Sequence, residues 1–193
     1  PLRVKAPVIG LVHMLSGRDM ERKYHLPFTW IENMGLNWYR HFIVLSTYWQ
    51  DVIRSVNNAA TFHVIPNAVD IARHPFKSKE KYMLFLGRVE INQKGLDLLL
   101  AAWDQLKSPL KLIIAGSGSE GEVATLKQSL TQLKNPNSVE YLGHVEGSLK
   151  SKLMSRALAT VIPARYETFS MTALESLAHS TPIICFDIPG MDW

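Results

Sequence analysis

Short apolar runs alternate with helical stretches along the chain. The runs, such as LKLIIA and PIICF, are nearly continuous and rich in β-branched residues, which is typical of strands that are covered on both faces of a sheet. Strands separated by helices of 9–14 residues indicate right-handed crossovers and parallel pairing. The pattern therefore predicts an α/β protein with doubly wound parallel sheets.

The first group of predicted elements lies in residues 1–70 and forms the first predicted domain. Its strands are predicted at 7–12, 42–45 and 62–65, and its helices at 28–40 and from Ser46 to about residue 56. The hydroxyls of Ser46 and Thr47 are expected to cap the second helix, because a hydroxyl can satisfy the free amides of a first turn. Residues 13–26 are polar and are expected to be irregular.

Residues 71–80 are charged, contain Pro75 and lack apolar periodicity, so they are predicted to be a linker. A second domain, 81–193, is expected to follow and to have five strands. Its strands are predicted at 82–86, 110–115, 139–142, 159–162 and 182–186, and its helices at 95–107, 120–133, 147–156 and 170–179.

Composition narrows the class of protein. The chain has 193 residues, of which 47% are apolar and 20% charged, and these values exclude disordered and fibrous classes. The net charge is +4, yet no block of five like charges occurs, so no nucleic-acid-binding arm is predicted. A mild positive excess suits phosphate-bearing ligands or an anionic membrane surface, and equally an ordinary solvated surface.

The single cysteine, Cys185, excludes a disulfide framework and fits a reducing compartment. No apolar run approaches the roughly 18 residues of a membrane span. These features predict a cytoplasmic protein. Peripheral contact with the inner face of a membrane, through the basic side chains of residues 14–30, stays open beside an exposed surface loop.

Candidate chemistry is expected after the strands, because ligands of doubly wound sheets bind at the carboxyl ends of the strands. Gly87 and Arg88 follow strand 82–86, and Lys94 precedes the next helix. Two cations flanked by glycines at a helix start suit a diphosphate, since arginine makes forked contacts and lysine adds a point charge. A pair of surface cations is the alternative.

The segment GSGSEG follows strand 110–115 and matches G-x-G-x-x-G through Gly116, Gly118 and Gly121. With Glu140 nineteen residues further on, it is compatible with a dinucleotide-binding oxidoreductase. Two features count against that hypothesis: Glu140 is predicted to lie inside a strand, and the motif opens the second strand–helix unit rather than the first. A tight turn without a ligand is a third interpretation.

Two acidic residues accompany the last predicted helix. Glu167 precedes the helix and can point into a cleft at the strand end, whereas Glu175 lies within the apolar stretch MTALESLA. An acid on a buried helix face is costly unless it is hydrogen-bonded, and vicinal sugar hydroxyls are suitable donors to a carboxylate. The amides of residues 169–171 are expected to hold phosphate or a sugar hydroxyl.

Taken in order, these segments resemble the group 1, glycogen-synthase-like retaining glycosyltransferases, which have a two-domain GT-B fold. The resemblance rests on FLGRVEINQKGLDLLLAAW, LIIAGSGSEG, VEYLGHV and PARYETFSMTALESLAHSTPII, and upstream on PVIGLVH, FIVLSTYWQDVI and VIPNAVD. It covers nearly the whole chain. It implies most of a Rossmann-like donor-binding domain preceded by the tail of the amino-terminal domain, so that the chain is a fragment.

The resemblance implies transfer of a sugar, of the hexosyltransferase type, from a UDP-, GDP- or ADP-sugar to a hydroxyl. The acceptor would be a glycan, a lipid-linked molecule or a small molecule. The anomeric configuration would be retained, and no metal or other cofactor is expected. The catalytic set that it implies is His13, Arg88, Lys94 and Glu167. The implied donor-binding set is Gly87, Gly116, Gly118, His144, Val145, Phe169, Ser170, Met171 and Glu175.

Each implied role has a simple physical meaning. Arg88 and Lys94 would neutralise the diphosphate, whose negative charge grows as the glycosidic bond breaks. Glu167 and His13 would contact the transferred sugar, and Glu175 the ribose. The base would lie beside residues 143–145.

Three positions depart from the family pattern, because Ser170, Ala68 and Ser180 stand where glycine is usual. Each is expected to tighten or shift a turn, since glycine alone enters positive φ freely. Ser170 is nearest the donor, so donor preference is the property that follows least directly from the resemblance. A catalytically incomplete fragment that binds a sugar nucleotide is a further hypothesis, distinguished by binding without transfer or donor hydrolysis.

Overall fold

The computed structural model of the chain describes residue 6, residues 8–71 and residues 78–191. It divides into two compact units. Unit 1 contains Pro1–Asn67, Glu167–Phe169 and Pro189–Trp193, and unit 2 contains Ala68–Tyr166 and Ser170–Ile188. The boundaries predicted from sequence, at 1–70, 71–80 and 81–193, stay predictions, and residues 72–77 of the predicted linker lie outside the described residues.

Unit 1 contains a parallel sheet of three strands in the order β1-β2-β3. The strands are β1 (Ile9–Val12), β2 (His41–Val44) and β3 (Thr61–Val64). Val12 pairs with Val44 and Val44 with Val64, so the three carboxyl ends lie level at one edge. The central strand is the buried one, and its Phe42 stacks on Phe62 with ring centroids 5.5 Å apart.

Three helices accompany this sheet: α1 (Gly17–Tyr24), α2 (Phe28–Leu36) and α3 (Thr47–Val56). The prediction that residues 13–26 are irregular is wrong, because α1 lies within them. The Glu32 carboxylate accepts hydrogen bonds from the amides of Ser16 (2.9 Å) and Gly17 (3.1 Å). This acid, sixteen residues from Ser16, supplies the helix start with an acceptor for two amides and with additional negative charge.

Helix α3 is held by burial rather than by the predicted cap. Ser46 occupies the position before the helix, but its hydroxyl makes no capping hydrogen bond and is buried without a hydrogen-bond partner among the described residues. Trp49 and Ile53 face the core instead. The Trp49 indole donates to the carbonyl of Thr168 (2.8 Å), which also belongs to unit 1. The predicted capping by the Ser46 hydroxyl is therefore wrong.

Unit 2 contains a parallel sheet of five strands in the order β6-β5-β4-β7-β8. The strands are β4 (Tyr82–Leu86), β5 (Lys111–Ala115), β6 (Val139–Gly143), β7 (Ala159–Ile162) and β8 (Ile183–Cys185). The helices are α4 (Leu96–Trp103), α5 (Glu120–Thr131), α6 (Gly147–Arg156) and α7 (Met171–Ala178), with a short 3-10 helix at Pro136–Ser138. All the elements predicted for this region are present, with ends that differ by a few residues.

Successive residues of a strand point to opposite sides, so an apolar strand makes both faces of the sheet apolar. Helices cover both of these faces. Leu84 packs on one side with Leu153 and Met154 of α6, and the neighbouring Phe85 packs on the other side with Leu96 of α4. Lys79 and Glu80, at the end of the predicted linker, belong to unit 2 and are hydrogen-bonded to other residues of that unit. In the part of the chain that the structure describes, every helix is too short or too polar to cross a bilayer.

Candidate functional site

The strand order of unit 2 reverses direction at β4, because the chain moves from β4 to β5 and β6 and then returns to β7 on the other side. Such a switch point leaves a crevice outside the carboxyl ends of the strands. A cavity of about 490 Å³ lies there. It is lined by Leu86, Gly87, Arg88, Gly116, Ser117, Gly118, Ser119, His144, Val145, Lys150, Thr172 and Glu175.

Glycines allow the strand-end loops to meet at the bottom of this cavity. The Gly87 amide donates to the carbonyl of Ala115 (3.0 Å), and the Gly116 amide to the carbonyl of Gly143 (2.7 Å). Gly116 has φ of 144°, and a Cβ there would collide with the carbonyl oxygen of Gly87. A Cβ at Gly118 would likewise collide with the carbonyl of Val89. The first two glycines of the motif are therefore required by backbone packing.

The third glycine has no such role. A Cβ at Gly121 would have no neighbour within 4 Å, whereas a dinucleotide fingerprint uses its third glycine for close packing of helix and strand. Glu140 is exposed in the middle of β6, paired in register with Ile113, rather than at the strand end. The motif thus forms the turn between β5 and α5, but it has neither the closely packed third glycine nor the strand-end acid of a nicotinamide-binding site.

The two predicted phosphate-binding cations occupy different places. Arg88 lines the cavity with 63% of its side chain exposed, and its Nε lies 3.2 Å from a carboxylate oxygen of Glu90. Lys94, which is among the described residues, is half-buried in the turn before α4 and does not line the cavity.

Arg165 is hydrogen-bonded to residues on both sides of the turn that contains Lys94. Its guanidinium donates to the carbonyl of Asn92 (2.7 Å) and makes two hydrogen bonds of 2.7 Å to the carboxylate of Asp97. Hydrogen bonding to Arg165 is the main cause that lowers the pKa of Asp97 from its ordinary value. Gly95, with φ of 66°, lets this turn approach Pro163, where a Cβ would collide with the carbonyl.

Glu175 lies in the cavity wall and has a partner within the chain. Lys150 Nζ, on α6, donates to Glu175 Oε1 on α7 at 2.7 Å. The expectation that sugar hydroxyls bind this acid stays a prediction, and Lys150 is a partner that it did not include. Lys150 was not predicted, although its spacing gave a signal: it precedes the buried Leu153 and Met154 by three and four residues, and so shares their side of α6.

The region expected to lie beside a base follows β6. Gly143 turns the chain with φ of 72°. His144 is largely exposed, with Nε2 3.5 Å from a carboxylate oxygen of Glu146. Val145 lines the cavity and is buried among Tyr82 and other apolar side chains.

The three departures from glycine have different outcomes. Ser170 has φ of −79° and uses its hydroxyl to accept from the Ala173 amide (3.4 Å), so it caps α7 without strain. Ala68 is also outside the positive-φ region. Ser180 does adopt positive φ, 56°. Of the three, only Ser180 adopts the backbone conformation that favours glycine, and the expected effects on the turns stay predictions.

The remaining predicted residues are divided between the units. Met171 is the first residue of α7 in unit 2 and is exposed. Unit 1 contains His13, exposed directly after β1, together with the half-buried Glu167 and the buried Phe169. Across the described residues, no group of three or more His, Cys, Asp or Glu side chains is placed to hold a metal ion.

Residues 67–192, more than half of the chain, match the family of glycosyl transferases group 1. The chain belongs to that group 1 family. The predicted family is therefore confirmed. The matched segment includes every element of unit 2 and the Glu167–Phe169 segment of unit 1.

Curated relatives of this glycosyltransferase chain are longer than it is. An uncharacterized glycosyltransferase of Methanocaldococcus jannaschii is 37% identical over 114 residues, which is 58% of the chain and 28% of the relative. The glycogen synthase of Mycobacterium tuberculosis is 31% identical over 140 residues, which is 68% of the chain and 33% of that enzyme. The chain thus spans about a third or less of the length of these relatives.

Solved structures confirm the predicted α/β, GT-B-like fold class. HepE of Anabaena, solved with UDP and glucose, matches 96% of the chain and 54% of its own chain with a TM-score of 0.78 at 18% identity. TarM of S. aureus, solved as a mutant with UDP among its ligands, matches 93% of the chain and 36% of its own with a TM-score of 0.78 at 19% identity. At such identities the likeness shows the fold.

Proposed function

We propose that this chain carries the donor-binding part of a glycosyltransferase that moves a sugar from a nucleoside diphosphate sugar to a hydroxyl. The acceptor class is a glycan, a lipid-linked molecule or a small molecule. The cavity at the switch point carries the proposal, because a cation, a carboxylate and glycine-lined backbone meet in one volume of about 490 Å³. The cytoplasm is the proposed location, which suits the free thiol of Cys185.

In this proposal the site stabilises the nucleoside diphosphate as it leaves the transferred sugar. Arg88 supplies a guanidinium at the cavity wall. Lys94, in the turn before α4 and outside the lining of the cavity, is the proposed second cation for the diphosphate. Fixed cations act on charge that develops as the glycosidic bond breaks, without reorganising at that moment. We propose that they suffice for metal-independent transfer. The amides at the start of α7 add donors for phosphate or sugar oxygens.

The remaining assignments complete the proposed donor site. Glu175 accepts hydrogen bonds from the ribose, Glu167 binds hydroxyls of the transferred sugar, and His13 contacts that sugar. The base lies beside His144 and Val145. Transfer retains the anomeric configuration by attack on the same face through an oxocarbenium-like state, without a covalent carboxylate intermediate.

Calorimetry with UDP, GDP and ADP tests donor binding by the 193-residue chain. At least one of the three is expected to bind, and Arg88→Ala is expected to weaken it about 10- to 100-fold, because a charge-assisted hydrogen bond to phosphate is lost. Lys127→Ala is the matched control, since it removes an exposed cation of α5 outside the cavity. The proposal fails if none of the three nucleotides binds.

Two further measurements separate the alternatives. A fluorescence titration with NADH and NADPH is expected to show no binding, and saturable binding there would favour the oxidoreductase hypothesis. Donor hydrolysis and transfer are measured for this chain and for a longer version. Turnover by the 193-residue chain would remove the hypothesis of an incomplete fragment.

The mechanism is tested by two other measurements. NMR of the first-formed product tests retention of the anomeric configuration, and an unchanged transfer rate in EDTA tests metal independence.

A further inference from the structure

Lys150 and Glu175 form a contact between two helices in the wall of the proposed donor cavity. Lys150 Nζ lies 2.7 Å from Glu175 Oε1, and the two side chains are only 33% and 25% exposed. Both residues line the cavity together with Thr172, one turn before Glu175 on α7. The Thr172 hydroxyl in turn donates to the carbonyl of Leu86 (3.1 Å), which ties this face of α7 to the end of β4.

An ion pair in this position is an expensive way to stabilise a fold. Partly burying two charges costs desolvation, and their attraction at best offsets most of it. Apolar residues would serve packing better at Lys150, since Leu153 and Met154, on the same side of α6, are buried. The charges therefore point to a role at the cavity rather than to cohesion between α6 and α7.

We propose that Lys150 is a positioning residue that directs the Glu175 carboxylate toward the ribose of the nucleotide and so makes the site select ribonucleoside over 2′-deoxyribonucleoside diphosphates. This inference rests on the proposed function. A carboxylate has acceptor positions on both oxygens, and an ammonium fixed on Oε1 sets the direction in which the others face. When the acceptor carboxylate is already directed, binding of the two ribose hydroxyls does not have to order the Glu175 side chain, so less conformational entropy is lost.

The test compares a nucleoside diphosphate with its 2′-deoxy counterpart. The probe pair is chosen from UDP, GDP and ADP as the nucleotide that the wild-type chain binds most tightly, and both members are titrated by calorimetry. Lys150→Met removes the charge and one heavy atom and keeps an unbranched side chain of similar helix propensity. It is expected to weaken the ribonucleotide about tenfold and the 2′-deoxynucleotide less than about twofold.

Two further variants separate positioning from other roles. Lys150→Arg keeps the cation and is expected to preserve the preference for ribose to within about twofold. Lys152→Met removes a neighbouring exposed cation of α6 and is expected to leave both affinities unchanged. Circular dichroism of each variant verifies folding, so that a loss of binding through unfolding is recognised.

Each outcome has a distinct meaning. If Lys150→Met weakens the binding of both nucleotides equally, the inference is overturned and Lys150 contacts the phosphates instead. If Lys150→Met changes neither affinity, the inference is also overturned and the ion pair is purely structural. If Lys150→Met unfolds the chain, the inference stands only when Lys150→Arg retains the preference for ribose and falls when it does not. Failure of the wild-type chain to bind UDP, GDP or ADP would remove the proposed function and this inference together.

Discussion

Arg165 and Asp97 join the end of β7 to the first turn of α4 by two parallel hydrogen bonds of 2.7 Å, across 68 residues of sequence. The same guanidinium donates to the carbonyl of Asn92, and the Arg165 amide donates to the carbonyl of Gln93 at 2.9 Å. The turn that carries Lys94 is therefore fixed from both sides by one residue. A cation in a fixed turn can stabilise a departing diphosphate without first being ordered.

The first prediction concerns the pH dependence of this pair. Arg165 lowers the pKa of Asp97 below its ordinary value of 3.8. A depressed folded pKa contributes stability that is present above the unfolded pKa and is lost as the pH falls through the folded pKa. Asp97→Asn is thus expected to lower the urea midpoint at pH 7, and the difference from wild type is expected to close below pH 3.8.

Urea unfolding followed by circular dichroism at pH 7, 5, 4 and 3 measures this difference. Asp51→Asn is the control, because its exposed carboxylate lies 3.7 Å from Arg54 on a single helix, where screening by solvent is strong. A gap between wild type and Asp97→Asn that stays constant across this range would contradict the prediction.

The second prediction contrasts two glycines of one motif. Gly116→Ala is expected to destabilise the chain by about 2 kcal/mol or more, since its φ of 144° is almost restricted to glycine and the new Cβ meets the Gly87 carbonyl. Gly121→Ala is expected to be neutral or to stabilise α5 by up to about 1 kcal/mol. Thermal unfolding measures both, and nucleotide binding is expected to be lost only in Gly116→Ala.

A dinucleotide site predicts a different result, because there the third glycine is needed for packing between helix and strand. Strong destabilisation by Gly121→Ala would therefore contradict the structure of this turn and revive the alternative function.

The third prediction concerns the end of α7. The Ser180 amide donates to the carbonyl of Leu177 and the Thr181 amide to that of Ser176, both at 2.9 Å, with Ser180 at φ of 56°. This is the Schellman arrangement, in which glycine usually takes the left-handed position. Ser180→Gly is expected to stabilise the chain by about 0.5–1 kcal/mol, because relief of the left-handed conformation exceeds the added entropy of the unfolded glycine.

Ser180→Ala separates the backbone effect from the hydroxyl. It keeps Cβ and is expected to show no gain in the free energy of unfolding. An equal gain from both substitutions would mean that removal of the hydroxyl, rather than relief of φ, is responsible.

The fourth prediction concerns Tyr82, whose hydroxyl donates to the carbonyl of Leu153 at 2.8 Å. Burial, with the charge of Glu80 as a second cause, raises the pKa of Tyr82 to about 12 from 10.0. A raised folded pKa contributes stability that is complete below the unfolded pKa and is lost as the pH rises through the folded one. Wild type is therefore expected to lose stability between pH 10 and 12 more steeply than Tyr82→Phe.

Urea midpoints at pH 8, 9, 10 and 11 test this, with tyrosinate absorbance near 295 nm as an independent readout. At pH 8 Tyr82→Phe is expected to be less stable by about 1 kcal/mol, since the hydrogen bond from the phenol is lost and the Leu153 carbonyl keeps only the Ala157 amide as a donor. Parallel curves for the two proteins would show that Tyr82 titrates as an exposed phenol.

Local patterns were sufficient to predict most of the fold. The strands of unit 2 are continuous apolar runs, and helix α6 and strand β7 begin and end at the predicted residues. The prediction failed where a distant side chain decides the local structure: α1 begins where Glu32 of α2 accepts two of its amides. The sequence of residues 13–26 does not specify this contact with α2.

The candidate site shows the same division. Arg88, His144 and Glu175 follow or face strand ends, so their places in the sequence predicted the cavity that they line. The partner of Glu175 was not predictable in this way, because Lys150 lies 25 residues earlier and meets it only when α6 and α7 pack side by side.

The sequence by itself determined the order of the elements, the parallel sheets and the residues available for chemistry, because periodicity and strand-end position are properties of the local chain. The tertiary structure decided which of those residues have partners and which glycines are needed. Gly116 and Gly121 are identical in sequence terms, yet only Gly116 faces a carbonyl from another strand end. Such distances depend on what the fold brings together, and they set the energies of contacts that no local pattern encodes.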